Sequence, residues 1–404
     1  MPQTTSNLSN SLRTQYIETY QGAADFEKLY DQFATPAGKD MAMLEEGSSV
    51  QVPFLSDMTP GTTVISQTTD VTPQQLRDAV ATITLTSRGE ALQWSQLLNI
   101  QTYTDYADKR IKAIGKNMQE SVELLALAAA LQGGNVFRAV ARASLDAGTA
   151  GHRLTDLIIS ELESRLMTLK SPPFLMGGGD RKWAMLGHPA VFHDLRQAAN
   201  VLAVGQYQQG RIILNFELGE IGSFKIVQSP WAKVFGAAGA DNGSVAATTI
   251  AAAVTAGDNN ALAKFIEVAS ATNITAGKWL TIGTEETANT FQPTNERVLV
   301  SADYVSGTRI DIIGESANGG LRFDHAVGAA VRNADSVYPV VFGGPMSIAK
   351  VYATEVGEYG EFVEPNTQGL LNQFTSAGWK FYGGYGRWSE SYILRGEFAS
   401  VLDA

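Results

Sequence analysis

The stretch 102–132 constrains this chain more than any other. Tyr103, Ala107, Ile111, Ile114, Met118, Val122, Leu125 and Ala129 recur at helical spacing and form one continuous apolar stripe. Thr102 followed by Asp105 reads as a capping-box variant. Asp105–Lys109, Asp108–Lys112 and Lys116–Glu120 set opposite charges four residues apart on the wet side. Gly133-Gly134 ends the run. About 30 residues at about 1.5 Å each make a rod of roughly 45 Å, longer than most helices of globular proteins. A stripe of that length needs an equally long apolar surface against it, so the rod is a structural spine.

The rest of the chain divides around this spine. Residues 1–46 read as an arm with scattered aromatics (Tyr16, Tyr20, Phe26, Tyr30, Phe33) and at most a short helix near 23–33. In 47–99 the runs GSSVQVPFL, TTVISQTT and AVATITLTS are β-rich and are split by Pro60-Gly61 and Pro73. They predict a long hairpin-like excursion, too polar on both faces for a core of its own. A second amphipathic helix is expected over 154–170, with Leu154, Leu157, Ile158, Leu162, Leu166 and Leu169 inward and Pro172-Pro173 as its stop. An α/β-like stretch follows, with a strand at 182–187, a helix opening at Pro189 and a strand at 222–229. Near residue 236 the composition turns small and bland, as a linker does. Beyond it KFIEVAS, KWLTIGT, RVLVSADYV and TRIDIIG are four β runs at roughly ten-residue spacing, ending near Gly319-Gly320. Phe265, Val268, Leu280, Ile282, Leu299, Ile310 and Ile312 are their expected core. The remainder closes with GWKFYGGYGRWSESYILRGEFAS, where Trp388, Tyr392, Leu394 and Phe398 are expected on one face of an extended strand. The simplest organisation is a β module inserted into an α+β host.

Composition excludes several classes of chemistry. None of the 404 residues is cysteine, which removes disulfide frameworks, zinc knuckles, iron–sulfur clusters and thiol catalysis. A net charge of −11 argues against a dedicated nucleic-acid binder. No window reaches the roughly 20 apolar residues of a membrane span. The start MPQTTSNLSNSLRTQY lacks the charged and apolar regions of a signal peptide, so a soluble protein made in the cytosol is expected. Charged residues are 18% of the chain, against about 25% in a typical soluble protein, while the hydrophobic share of 44% is ordinary. The deficit therefore lies in charged surface, as at the core of a protein–protein interface. A chain rich in Gly, Ala, Thr and Ser loops would show it too, and 39 glycines partly support that; obligate assembly is the favoured reading.

The candidate motifs reduce to structure. Gly177-Gly178-Gly179-Asp180 lacks the Gly-Lys-Ser/Thr ending and the following helix of a phosphate loop. His188, His193 and Asp194 form the one local cluster of metal-ligand types. Histidines five apart do not share a helix face, so His188 is expected to help start the helix at Pro189. No Gly-x-Ser-x-Gly elbow surrounds a serine, and Glu45-Glu46 and Glu285-Glu286 read as solvated charges in polar loops. The run YGGYGRW (382–388) reads as close backbone packing. No catalytic, cofactor-binding or metal-binding residue is named, and no enzymatic activity is expected.

In KWAMLGHPAVFHDLR (182–196), GGLRFDHAVGAAVRNADSVYPVVFGGPMSIAKVY (319–352) and GWKFYGGYGRWSESYILRGEFAS (378–400) the chain resembles tailed-bacteriophage major capsid proteins, of the branch with an inserted β domain. The resemblance implies the Hong Kong ninety-seven-type α+β fold. Its expected parts are an N-terminal arm at 1–46, an extended β loop at 47–99 and a peripheral domain with the spine helix at 100–173. The first part of an axial domain would be 174–235, the inserted β domain 236–340, and the C-terminal axial and peripheral part 341–404. The implied function is mechanical: pentamers and hexamers closing an icosahedral shell around double-stranded DNA, in a virion assembled in the host cytoplasm. Implied partners are further copies, portal and scaffolding proteins and decoration proteins, with DNA enclosed but not read and no membrane contact. An encapsulin-like compartment and a β-rich glycan-binding or glycan-degrading protein are the alternatives.

Overall fold

The computed structural model describes residues 29–37, 49–55, 58–62, 73–95, 97–98, 107–175, 180–197, 217–229, 231–240, 247–254, 264–283, 292, 294–314, 319–353, 360–368 and 373–403. Two compact units share the chain, one from 1–129 and 346–389, the other from 130–345 and 390–404.

The first unit is a long helix laid on a sheet. Helix α1 (Ala107–Leu131) buries Ile111, Ile114, Met118 and Val122 against Ala377, Trp379 and Phe381. Those three alternate along the strand Phe374–Arg387, so a period of two in the sheet meets a period of about 3.6 in the helix. Trp379 Nε1 donates to Asn117 Oδ1 at 2.9 Å, satisfying the indole at the edge of this contact. The helix stops two residues before Gly133, whose φ of 102° ends it as read. Its expected cap, Thr102 with Asp105, lies outside the described residues.

Phe374–Arg387 organises the sheet. Thr86–Ser95 runs antiparallel to it from Phe374 to Gly383. Glu361–Gln368 pairs with its first half and Ile348–Tyr352 with its last five residues. Arm strand Ala34–Pro36 adds in parallel to Ile348–Tyr352. The hairpin of Ser49–Leu55 and Asp78–Thr84 buries Val50, Val52 and Ile83 against Ala349 and Val351. It is thus less self-insufficient than its polarity suggested, because alternate positions at its base are apolar.

Glycines make that docking close. A Cβ at Gly386 would lie 2.8 Å from Ile83 Cγ1, and one at Gly384 would collide with the Thr84 carbonyl oxygen. Gly384→Val should therefore push the hairpin off the sheet and cost about 2 kcal/mol. A lowered thermal midpoint with faster hydrogen exchange over 78–84 is the expected reading; unchanged exchange would refute it.

The second unit is built on a seven-stranded sheet. Its order is Val136–Arg138, Ile393–Phe398, Tyr338–Gly343, Arg181–Gly187, Phe224–Gln228 and Glu217–Ile221, with Phe174–Leu175 paired to Arg181–Gly187. Helices α2 (Asp156–Thr168) and α3 (Pro189–Gln197) share its core with Met185, Phe224, Tyr338, Phe342, Leu394 and Phe398. Thr155 caps α2, its hydroxyl accepting from the Ile158 amide. Leu157, expected inward, is 79% exposed; the inward face is Ile159, Leu162 and Leu166, and Leu157 lies off their i, i+3, i+7 line. The expected single face of Trp388, Tyr392, Leu394 and Phe398 does not form. A 3₁₀ turn at Glu390–Tyr392 interrupts the extended chain, and only Leu394 and Phe398 belong to this core.

Residues 247–332 form six antiparallel strands, ordered Ala247–Thr249, Ala330–Arg332, Trp279–Ile282, Glu296–Val300, Arg309–Ile313 and Phe265–Glu267. The first and last meet: Ala251 N donates to Glu267 O at 2.7 Å and Ala269 N to Thr249 O at 2.9 Å. Among the described residues the sheet therefore closes into a small barrel. Four of its strands match the four β runs of the sequence, and the two short ones complete the closure. The inward parity is shifted at two of them: Ile266 rather than Phe265, and Val298 and Val300 rather than Leu299, fill the core. At its base Phe235 and Val337 exchange two backbone hydrogen bonds of 2.9 Å, so the incoming and outgoing chains run side by side.

Candidate functional site

The polar and charged groups buried among the described residues gather into anchors that hold elements in place. Three are buried.

The first anchor fixes the arm to the spine. Tyr30–Phe33 is a single helical turn whose leading N–H groups have no partner within the turn. The Glu123 carboxylate on α1 accepts from all three, Leu29 N at 3.0 Å, Tyr30 N at 2.7 Å and Asp31 N at 3.2 Å. The Asp31 carboxylate accepts in turn from the Tyr385 hydroxyl at 2.6 Å and lies 3.4 Å from Lys350 Nζ. Burial pushes the Glu123 carboxyl up to about 7, an effect that the three N–H bonds oppose and the nearby Asp31 charge reinforces. Because the folded state holds the proton more tightly, this group's stabilisation is fully present below its ordinary value of 4.5 and is lost as pH rises through about 7. Wild-type stability should fall by about 3 kcal/mol more than that of Glu123→Gln as pH is raised across that window. Urea unfolding at a series of pH values reads this, and parallel curves would refute it.

The second anchor seats the barrel on the seven-stranded sheet. Arg297 donates to the Tyr338 hydroxyl at 2.8 Å, pairs with Asp403 and lies 4.2 Å above the Trp279 ring. Tyr338 donates to Asp403 Oδ2 at 2.9 Å, and its burial pushes the phenol pKa up. Beside it Glu296 accepts from Arg322 N at 2.8 Å and meets His325 Nε2 at 2.7 Å. The third anchor gathers Arg138, Arg142 and Arg395 around Glu397. Glu397 Oε2 accepts from Arg138 Nε at 2.6 Å and from Arg142 Nε at 2.8 Å, and Arg395 Nε lies 3.0 Å from Oε1.

The sequence candidates do not converge. His188 Nδ1 accepts from the Ala190 amide at 3.2 Å and so helps start α3, as read. Burial, then the Arg297 charge, holds its pKa down at about 4, so the ring is neutral. His193 meets Asp194 at 3.4 Å, and Asp194 is committed to the Val401 amide at 3.0 Å. Among the described residues no group of three or more His, Asp or Glu side chains is arranged for a metal. Gly177–Gly179, Glu45-Glu46 and Glu285-Glu286 lie outside the described residues. The anchors themselves were missed. Their signal was a charge inside an apolar run, as in VELLALAAA and YILRGEFAS, but nothing local names the partner. No helix among the described residues is long and apolar enough to cross a membrane.

No protein-family model and no curated protein matches the chain. Solved structures do match. The capsid of Ralstonia phage GP4 covers 93% of this chain over 91% of its own, with a TM-score of 0.54 at 9% identity. The capsid of cyanophage Pam1 covers 93% of each, with a TM-score of 0.52 at 12% identity. The acid-stable capsid of Helicobacter pylori bacteriophage KHP30 covers 93% of this chain and 92% of its own, with a TM-score of 0.51 at 8% identity. These capsids match over nearly the whole chain, and the chain therefore has the tailed-bacteriophage major capsid protein fold of the Hong Kong ninety-seven type.

Proposed function

We propose that this chain is the major capsid protein of a tailed bacteriophage, not an enzyme, and that its copies form pentamers and hexamers closing an icosahedral shell around double-stranded DNA. The observation that carries the reading is agreement with three phage capsids over 93% of the chain. The low charged fraction supports it, because each copy would bury obligate-class interface, above about 2,000 Å². Rings follow from heterologous contacts whose rotation closes. The protein would reside in the virion, with portal, scaffolding and decoration proteins as partners. Residues 236–340 would be an inserted domain on the outer side of the shell, a role that the closed barrel and its adjacent chain ends support.

Electron microscopy and sedimentation of the protein, expressed alone and with a scaffold, test the reading. Capsomers, sheets or shells are expected. A monomer under every condition near neutral pH overturns it.

A further inference from the structure

The strand Thr86–Ser95 is an edge. It pairs along its length with Phe374–Arg387, and among the described residues nothing pairs with its other side. Thr86 to Gln93 are all exposed. A free edge of ten residues is a template for another chain unless it is blocked, and this one carries neither proline nor lysine.

Its two charges are placed unusually. Arg88 and Glu90 flank Gly89, project to the same face and make no hydrogen bond or ion pair among the described residues. Antiparallel pairing of the strand with itself about Gly89 would set Arg88 of each copy opposite Glu90 of the other. Ser87 would then oppose Ala91, and Thr86 would oppose Leu92. Shifting the centre by one residue, onto Arg88 or Glu90, opposes like charges. The charges thus select one register. Glycine at the centre is also required by the strand's own sheet, since a Cβ at Gly89 would lie 2.6 Å from the Trp379 carbonyl oxygen.

We propose that this edge binds the same edge of a second copy, antiparallel about a two-fold axis at Gly89, with reciprocal Arg88–Glu90 pairs. The proposal rests on the shell reading and names one contact within it. The interface is isologous, so it joins two copies and cannot propagate by itself; it would tie together rings built through other surfaces.

Charge reversal tests it. Arg88→Glu and Glu90→Arg each oppose like charges twice per axis and should raise the concentration needed for assembly about tenfold. The double variant, Arg88→Glu with Glu90→Arg, restores both pairs and should assemble within about twofold of wild type. Thermal midpoints of unassembled subunits should not change, since among the described residues neither side chain has a partner. Because the chain has no cysteine, Ser87→Cys with Ala91→Cys offers an independent reading. Directly opposed positions lie within disulfide reach, so mild oxidation should yield covalent dimers, and neither single cysteine should.

Single reversals that assemble like wild type overturn the proposal. So does a double reversal that fails to recover, which would mean that the edge takes a different segment. Wild-type protein that never assembles overturns the shell reading instead. In that case oxidation of the concentrated double-cysteine chain decides the strand contact: dimers support it and their absence refutes it.

Discussion

Glu397→Ala should strip the second unit of a large part of its stability. The side chain is fully buried, and it is the shared acceptor of Arg138 and Arg142 and the ion-pair partner of Arg395. Removing it leaves three guanidiniums crowded together with their common counter-ion gone. Breaking one buried pair costs about 3–5 kcal/mol; here one deletion breaks three contacts, so a loss of about 5 kcal/mol is expected. That is comparable to the whole stability of a small domain, about 5–15 kcal/mol. Burial raises the Glu397 carboxyl, but the hydrogen bonds of Arg142 and Arg138 and the charges of Arg142 and Arg395 outweigh it, leaving the pKa below its ordinary 4.5. With the folded value depressed, its contribution is present above that ordinary value and is lost as pH falls through the folded one. Urea unfolding should therefore show a much lower midpoint for Glu397→Ala near neutral pH, with the gap to wild type narrowing in acid. A variant within about 1 kcal/mol of wild type would show that the arginines find other partners.

Ile114→Asp should be nearly as damaging, in the first unit. Ile114 is 3% exposed and sits between α1 and the strand carrying Ala377, Trp379 and Phe381. A carboxylate there loses its hydration with no partner supplied, and even in its neutral form forfeits the apolar contacts, for a total of about 4 kcal/mol. Lys112→Ala, two residues away on the exposed side, should cost under about 0.5 kcal/mol. Soluble yield and thermal midpoint of the two variants separate the cases; equal behaviour would mean that the apolar stripe faces elsewhere.

Much of the secondary structure was legible because its signals are local. The spine stripe, the helix opening at Pro189 and the four β runs each depend on residues within a few positions of one another, and all of them form. Parity was less legible. In KFIEVAS and RVLVSADYV apolar residues occupy both faces, so the sequence does not say whether Phe265 or Ile266, Leu299 or Val300, turns inward; a one-residue shift exchanges the faces. The barrel's closure, through two three-residue strands too short to announce themselves, supplies the answer.

The buried anchors were barely legible. That Glu123, Arg297 and Glu397 stand in or beside apolar runs is visible in the sequence, and so is the cost of burying a charge there. Their partners Asp31, Asp403 and Arg138 are 92, 106 and 259 residues away, distances over which no local pattern carries information. The sequence by itself determined the spine, the breaks between elements, the cysteine-free chemistry and the shortage of surface charge, since each is a sum over near neighbours. Only the tertiary structure decided which strand edges close on each other and which charges share a buried acceptor, because desolvation and hydrogen-bond geometry act between groups that folding alone brings together.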